Sequence, residues 1–112
     1  MGVVETPKRD EVWLVALDPT KGSEIQKTRP CVIISPDEMN GHLGTFIIAP
    51  MTSAARRYPT RAPINHGGKS GEVVLDQIRA VDRSRLIRKL GAATPKTAEA
   101  ISDVLLEIFA RR

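Results

Sequence analysis

Cysteine is almost absent: the chain has 112 residues and one cysteine, Cys31. That excludes an internal disulfide framework and a zinc site built on cysteines. No run approaches the ~18 consecutive apolar residues of a membrane span. Residues 1–10 do not read as a secretory signal. A cytoplasmic protein without a membrane partner is the expectation. Aromatic residues are scarce, at 4%: Trp13, Phe46, Tyr58 and Phe109. A binder that grips nucleic acid by stacking several bases needs more than these. Acidic residues are missing throughout the span between Glu38 and Glu72, which carries Arg56, Arg57, Arg61 and Lys69. A second basic cluster follows at Arg79, Arg83, Arg85, Arg88 and Lys89, relieved only by Asp82. The net charge is +4. A surface of one sign favours a polyanionic partner, with nucleic acid the first choice. The plain alternative is a soluble basic protein with no such partner.

The usual catalytic signatures are missing too. Gly68-Lys69-Ser70 looks like the end of a phosphate-binding loop, but the glycine required five places earlier is Pro63. His42 and His66 fall in turn-like segments and read as surface histidines rather than ligands. Asp76, Asp82 and Asp103 do not form a two-metal carboxylate set. No Gly-x-Ser-x-Gly elbow occurs. An enzyme of this sequence is therefore expected to work without a metal, a cofactor or a histidine base. RNA permits that, because its own 2′-OH can attack the adjacent phosphorus. The protein then assists proton transfer and stabilises charge on the phosphorane oxygens. DNA lacks that hydroxyl and does not react this way.

What is present is a set of short apolar runs rich in Val, Ile and Leu, as strands are. Strands are expected at 11–18, 30–35, 45–51, 60–64, 72–80 and 88–93. The first is apolar at nearly every position, so both of its faces should be covered, by core or by a partner subunit. Pro50 marks an edge or bulge in the third. Residues 37–40 read as a short helical turn before Asn40-Gly41. Thr94 as N-cap and Pro95 at the first helical position open a helix. Its apolar stripe is Ala98, Ile101, Leu105, Ile108 and Phe109. Residues 1–10 read as a loose tail on a single domain spanning 1–112. The expected fold is mainly β: a small, curled, SH3-like barrel of five to seven strands with a C-terminal amphipathic helix.

The first two strands are joined by a long loop, and long loops on rigid strands tend to carry function. It holds Lys21, Glu24, Lys27 and Arg29. Pro30 pushes Arg29 toward extended backbone, so Arg29 should sit at the strand start.

VWLVALDPTKGSEIQKTRPCVIISP, IIAPMTS and GEVVLDQIRAVD, in this order, resemble the MazF/PemK (Kid) family of toxin endoribonucleases. The resemblance runs from residue 11 through the C-terminal helix. It implies an SH3-like barrel that forms a homodimer. It implies metal-independent cleavage of single-stranded RNA to 2′,3′-cyclic phosphate and 5′-OH ends. It also implies a cognate antitoxin whose acidic C-terminal tail covers the active groove. The family arginine falls on Arg29, the family threonine on Thr52, the acid on Glu24, and the D-Q pair on Asp76 and Gln77. Two positions depart from some relatives: Ser23 stands where they have histidine, and Val74 where they have arginine. Mechanisms that use those side chains do not carry over; one built on Arg29 and Thr52 does.

Arg29 is then the expected stabiliser of the transition state, because its planar fork matches two phosphate oxygens. Thr52 is expected to donate to the phosphate. Glu24 is left between three roles: accepting the 2′-OH proton, orienting Arg29, and a plain salt bridge. Lys21, Ser53, Arg56, Arg57, Tyr58, Arg61, Asp76, Gln77 and Arg79 are the expected substrate-binding residues. Two other readings stand beside this one. One is a basic barrel that binds nucleic acid without cutting it. The other is a gyrase-poisoning toxin of related fold, disfavoured because the sequence finishes Phe109-Ala110-Arg111-Arg112 and lacks the Trp-Gly-Ile that such toxins use.

Overall fold

A computed structural model describes residues 6–112. Strands β1 (Glu11–Ala16), β2 (Thr28–Ile33), β3 (Thr45–Thr52), β4 (Arg61–His66), β5 (Lys69–Val74), β6 (Arg79–Asp82) and β7 (Leu86–Ala92) form one curled antiparallel sheet. Its order is β4-β5-β3-β2-β1-β7, with β6 paired to β3 off this path. A short helix, α1 (Asp37–Asn40), precedes β3, and a long one, α2 (Pro95–Phe109), ends the fold. The expected class therefore stands, with seven strands.

Each side of the curl buries its own cluster. Trp13, Val15, Leu17, Cys31, Ile33, Phe46, Ile48, Val81 and Leu86 fill one side. Val12, Val32, Ala49, Ala62, Ile64, Val73 and Leu75 fill the other, closed by Ile101 of α2. Alternate residues of β1 thus enter different cores, which is why that strand is apolar on both faces. Each large aliphatic side chain so buried is worth about 1.5–3 kcal/mol. Thr94 caps α2 by accepting from the Thr97 amide at 3.2 Å, as its position before Pro95 predicts.

Three expectations need correction. The run 72–80 is not one strand: a 3-10 turn at Leu75–Gln77 separates β5 from β6. That break lets β3 take two partners on one edge, β6 up to Ile48 and β5 from Met51. Pro50 falls in the gap between them, where a residue without an N–H leaves no ladder bond unmade. Phe109 is not on the packed stripe but 65% exposed, beside Leu106. The packed face of α2 is instead Ala100, Ile101, Val104, Leu105 and Ile108. Residues 6–10 are not a loose tail: Pro7 is fully buried and the Asp10 amide donates to Ile33 O at 2.9 Å. The remainder of that stretch, 1–5, lies outside the described residues.

Glu11, 8% exposed, is tied into this N-terminal corner. Its carboxylate accepts from the Lys8 amide and Trp13 Nε1, and pairs with Lys89 Nζ at 2.9 Å. Burial alone raises its pKa, but these hydrogen bonds and the Lys89 charge outweigh it, so the group titrates below its ordinary value. A depressed carboxylate contributes stability that is full above its unfolded value and lost as pH falls through the folded one. Acid titration of unfolding free energy should therefore show a loss below about pH 4.3 that is reduced in Glu11→Gln. Parallel curves for the two proteins would contradict it.

Candidate active site

The long loop between β1 and β2 is anchored at several points. Leu17 N donates to Lys27 O at 3.0 Å, and the Asp18 carboxylate accepts from Lys27 N at 2.9 Å. Gln77 reaches across from the 3-10 turn, its side-chain oxygen accepting from Ile25 N at 2.8 Å. Arg79 Nη1 donates to Leu17 O at 3.1 Å, and Arg85 to the carbonyls of Ala16 and Asp18. The carboxylate of Glu24 turns back on its own loop, accepting from Lys21 N at 2.6 Å. Guanidinium and amide side chains from β6 and its flanks thus fix the loop leading into β2.

The register of the sheet sets the site. β2 and β3 pair with Cys31 opposite Pro50. Carried two residues on, that antiparallel register brings Arg29 opposite Thr52. The two line one cleft of about 440 Å³ together with Pro30, Met51, Ser53, His66, Lys69 and Gly71. That volume lies within the range of ligand-sized clefts, about 300–1,000 Å³. Arg29 Nε donates to Gln26 O at 3.1 Å. Among the described residues nothing pairs with its Nη ends, so they are available to an anion. Thr52 Oγ1 accepts from Ala54 N at 3.2 Å, which leaves its own hydroxyl proton to donate. Cys31, next to the cleft, is no nucleophile: burial, against the opposing charges of Arg79 and Arg29, pushes its thiol up to about 12.

The expected site residues divide. Arg29, Thr52 and Ser53 share this cleft. Glu24, Asp76, Gln77 and Arg79 line a neighbouring one, on the loop side of Pro50. No hydrogen bond or ion pair joins Glu24 to Arg29 among the described residues. Lys21 is exposed on the loop. Arg56, Arg57 and Tyr58 are exposed on the 54–60 segment. Arg61 is held inward, its side chain 12% exposed, 3.3 Å from Asp76 Oδ1 and 3.8 Å from Glu72 Oε1, with Tyr58 stacked over it. Asp76 also accepts from Thr60 Oγ1 at 2.9 Å. Arg61 and Asp76 are therefore a brace under the basic segment, and the exposed cations are Arg56 and Arg57.

Four residues went unselected in the sequence: His66, Lys69, Gly71 and Glu72. The β4–β5 hairpin turns on Gly67 and Gly68, with φ of +57° and +77°. Two successive positive φ angles make the tight two-residue turn that matches strand twist. His66 and Lys69 thus pair across the hairpin and reach the cleft. The adjacent Gly-Gly was the available signal. Gly71 has no room for a side chain: a Cβ there meets Thr52 O at 2.6 Å. Gly71→Ala must push β5 away from Thr52. Cleavage of RNA, the activity proposed below, should fall about 10²-fold, the scale of a 1 Å misplacement, with circular dichroism unchanged. Wild-type cleavage by that variant would show that the approach is not what places Thr52.

The chain has clear relatives. Residues 8–109 match the model of the PemK-like, MazF-like toxins of type II toxin–antitoxin systems. The chain is 32% identical over 93 residues to the endoribonuclease toxin MazF of Escherichia coli K12, covering 82% of this chain and 83% of that one. It is 32% identical over 104 residues to the endoribonuclease MazF of Staphylococcus saprophyticus, covering 88% and 87%. The solved MazF of Deinococcus radiodurans superposes with a TM-score of 0.84 at 28% identity, over 94% of this chain and 97% of that one. A MazE–MazF complex from the same organism aligns at a TM-score of 0.78 and 25% identity, over 97% of this chain and all of the other. With its sheet order, its Arg29–Thr52 cleft and a family match over nearly its whole length, this chain belongs to the PemK-like, MazF-like toxins of type II toxin–antitoxin systems.

Proposed function

We propose that this toxin is an endoribonuclease that cuts single-stranded mRNA without a metal or other cofactor, by attack of the ribose 2′-OH on the adjacent phosphorus. The observation that carries the reading is that Arg29 of β2 and Thr52 of β3 line one cleft, with guanidinium Nη ends and a hydroxyl proton left unpaired among the described residues. Arg29 grips the non-bridging oxygens as charge builds on the phosphorane, and Thr52 donates to the same group. Arg56, Arg57 and Lys21 hold the RNA backbone on either side, with Tyr58 and Ser53 available to a base and a sugar. Glu24, Gln77 and Arg79 serve the site through the loop that delivers Arg29.

The test is cleavage of a long single-stranded RNA in EDTA, with the ends mapped. Discrete cuts bearing 2′,3′-cyclic phosphate and 5′-OH are expected, and a 2′-deoxy nucleotide at the cut should block them. Binding that weakens steeply with salt yet yields no cut strand would instead make the protein a non-catalytic binder.

A homodimer and a cognate antitoxin with an acidic C-terminal tail complete the reading, in the cytoplasm. The related Deinococcus toxin is solved in complex with MazE. Here the support is the exposed cations on the 54–60 segment and around the cleft, which suit an acidic peptide. Such a peptide should inhibit in competition with RNA, and inhibition that RNA cannot overcome would place it elsewhere. Sedimentation at micromolar concentration should give a dimer, and a monomer would remove that part of the reading.

A further inference from the structure

Among the described residues no carboxylate lines the Arg29–Thr52 cleft. Its titratable side chains are Arg29, Lys69 and His66. Arginine stays protonated at any working pH, and lysine is a cation there as well. Imidazole alone among them exchanges a proton near neutrality. Glu24, the acid that the motifs offer for the purpose, lines the other cavity and is engaged with its own loop.

His66 is also held as a working group would be. It ends β4, fixed by the Gly67-Gly68 turn opposite Lys69. A Cβ built on Gly91 of β7 would lie 3.0 Å from its Cε1 and 3.7 Å from its Nδ1. The ring therefore lies close to the β7 backbone at Gly91, where a larger residue would press on it. Among the described residues neither ring nitrogen has a hydrogen-bond partner. A half-buried imidazole, positioned on one face and unpartnered at both nitrogens, lines the cleft that holds the phosphate-binding pair.

We propose that His66 is the general base of the cleavage reaction. The inference rests on the endoribonuclease reading above. The neutral ring takes the proton of the ribose 2′-OH. The 2′-oxygen forms its bond to phosphorus and the bond from phosphorus to the 5′-oxygen breaks. That oxygen leaves with a proton from water, and the imidazolium returns its own proton to the solvent. Nothing is oxidised or reduced. Arg29 of β2 and Lys69 of β5, the charged groups that line the cleft with the ring among the described residues, hold the phosphate meanwhile.

The experiment is a pH–rate profile of single-turnover RNA cleavage at saturating protein, for the wild type, His66→Asn and His66→Ala. The wild-type rate should rise with pH through an inflection in the range where imidazoles titrate, about pH 5 to 8. His66→Asn should lose that inflection and fall about 10²-fold or more, while its affinity for RNA blocked by a 2′-deoxy nucleotide stays within twofold. Added imidazole should restore part of the rate to His66→Ala. A His66→Asn profile that keeps the wild-type inflection overturns the assignment, as does a variant that loses affinity but not maximal rate. A wild-type protein that cuts no RNA defeats the endoribonuclease reading itself, a separate result.

Discussion

Arg29→Ala should cost about 10³ in RNA cleavage, the upper scale for removing one preorganised charge donor, and leave the fold standing. Among the described residues the guanidinium makes one hydrogen bond, from Nε to Gln26 O. Losing a partly exposed bond of that kind costs about 0.5–1.5 kcal/mol, a few degrees in melting temperature for a domain of this size. The strand keeps its place, because β2 is paired on both sides, to β1 from Thr28 onward and to β3 from Cys31. The two readouts are therefore separable: single-turnover cleavage at saturating protein, and thermal unfolding. Arg29→Lys discriminates further. It keeps the charge and loses the two-pronged geometry, so it should recover part of the rate and not all of it. A variant lacking the guanidinium that still cuts at the wild-type rate would move the chemistry out of this cleft.

The strands, the helix and its cap are legible in the sequence because each depends on neighbours within a few residues. Thr94-Pro95 and the apolar run of β1 are examples. Phe109 is misread because periodicity gives the spacing of a stripe but not where it stops: Ile108 packs on the core and Phe109 beside it does not. The break at Leu75–Gln77 is hidden because Leu75 carries the buried apolar run of Val73 and Val74 into the turn. In the site, the Arg29 and Thr52 positions can be read from motifs. Their meeting depends on a register that Cys31 and Pro50 define only in the folded sheet. Glu24 illustrates the opposite limit. Its motif places it five residues from Arg29, yet the loop turns it into another cavity.

Glu72→Ala should be the most destabilising single change in the site's surroundings, for a reason that no local pattern reveals. Glu72 is the acid that ends the basic span, and it is 8% exposed. Its two carboxylate oxygens accept from the amides of Arg56 and Arg57, at 3.0 Å each. Arg57 has a φ of +57°, a conformation that a non-glycine residue keeps only when something holds it. The same carboxylate lies 3.8 Å from Arg61, and the residue pairs with Thr52 in the sheet. One buried charge thus fixes the backbone of the basic segment and ties it to the strand that carries Thr52. Two amide bonds to a charged acceptor are worth about 1.5–3 kcal/mol each. The freed amides can meet water, so the net loss should be about 2–4 kcal/mol, or roughly 8–16 °C in melting temperature. Arg61 keeps its contact with Asp76 at 3.3 Å, which stops the loss from spreading to β4. Released, the segment should exchange its amides at 56 and 57 faster and bind RNA more weakly, because its cations are no longer ordered before contact. Glu72→Gln retains one good acceptor and should fall between. A Glu72→Ala protein that melts within a degree of wild type, with those two amides still protected, would show that the segment holds its shape without the carboxylate.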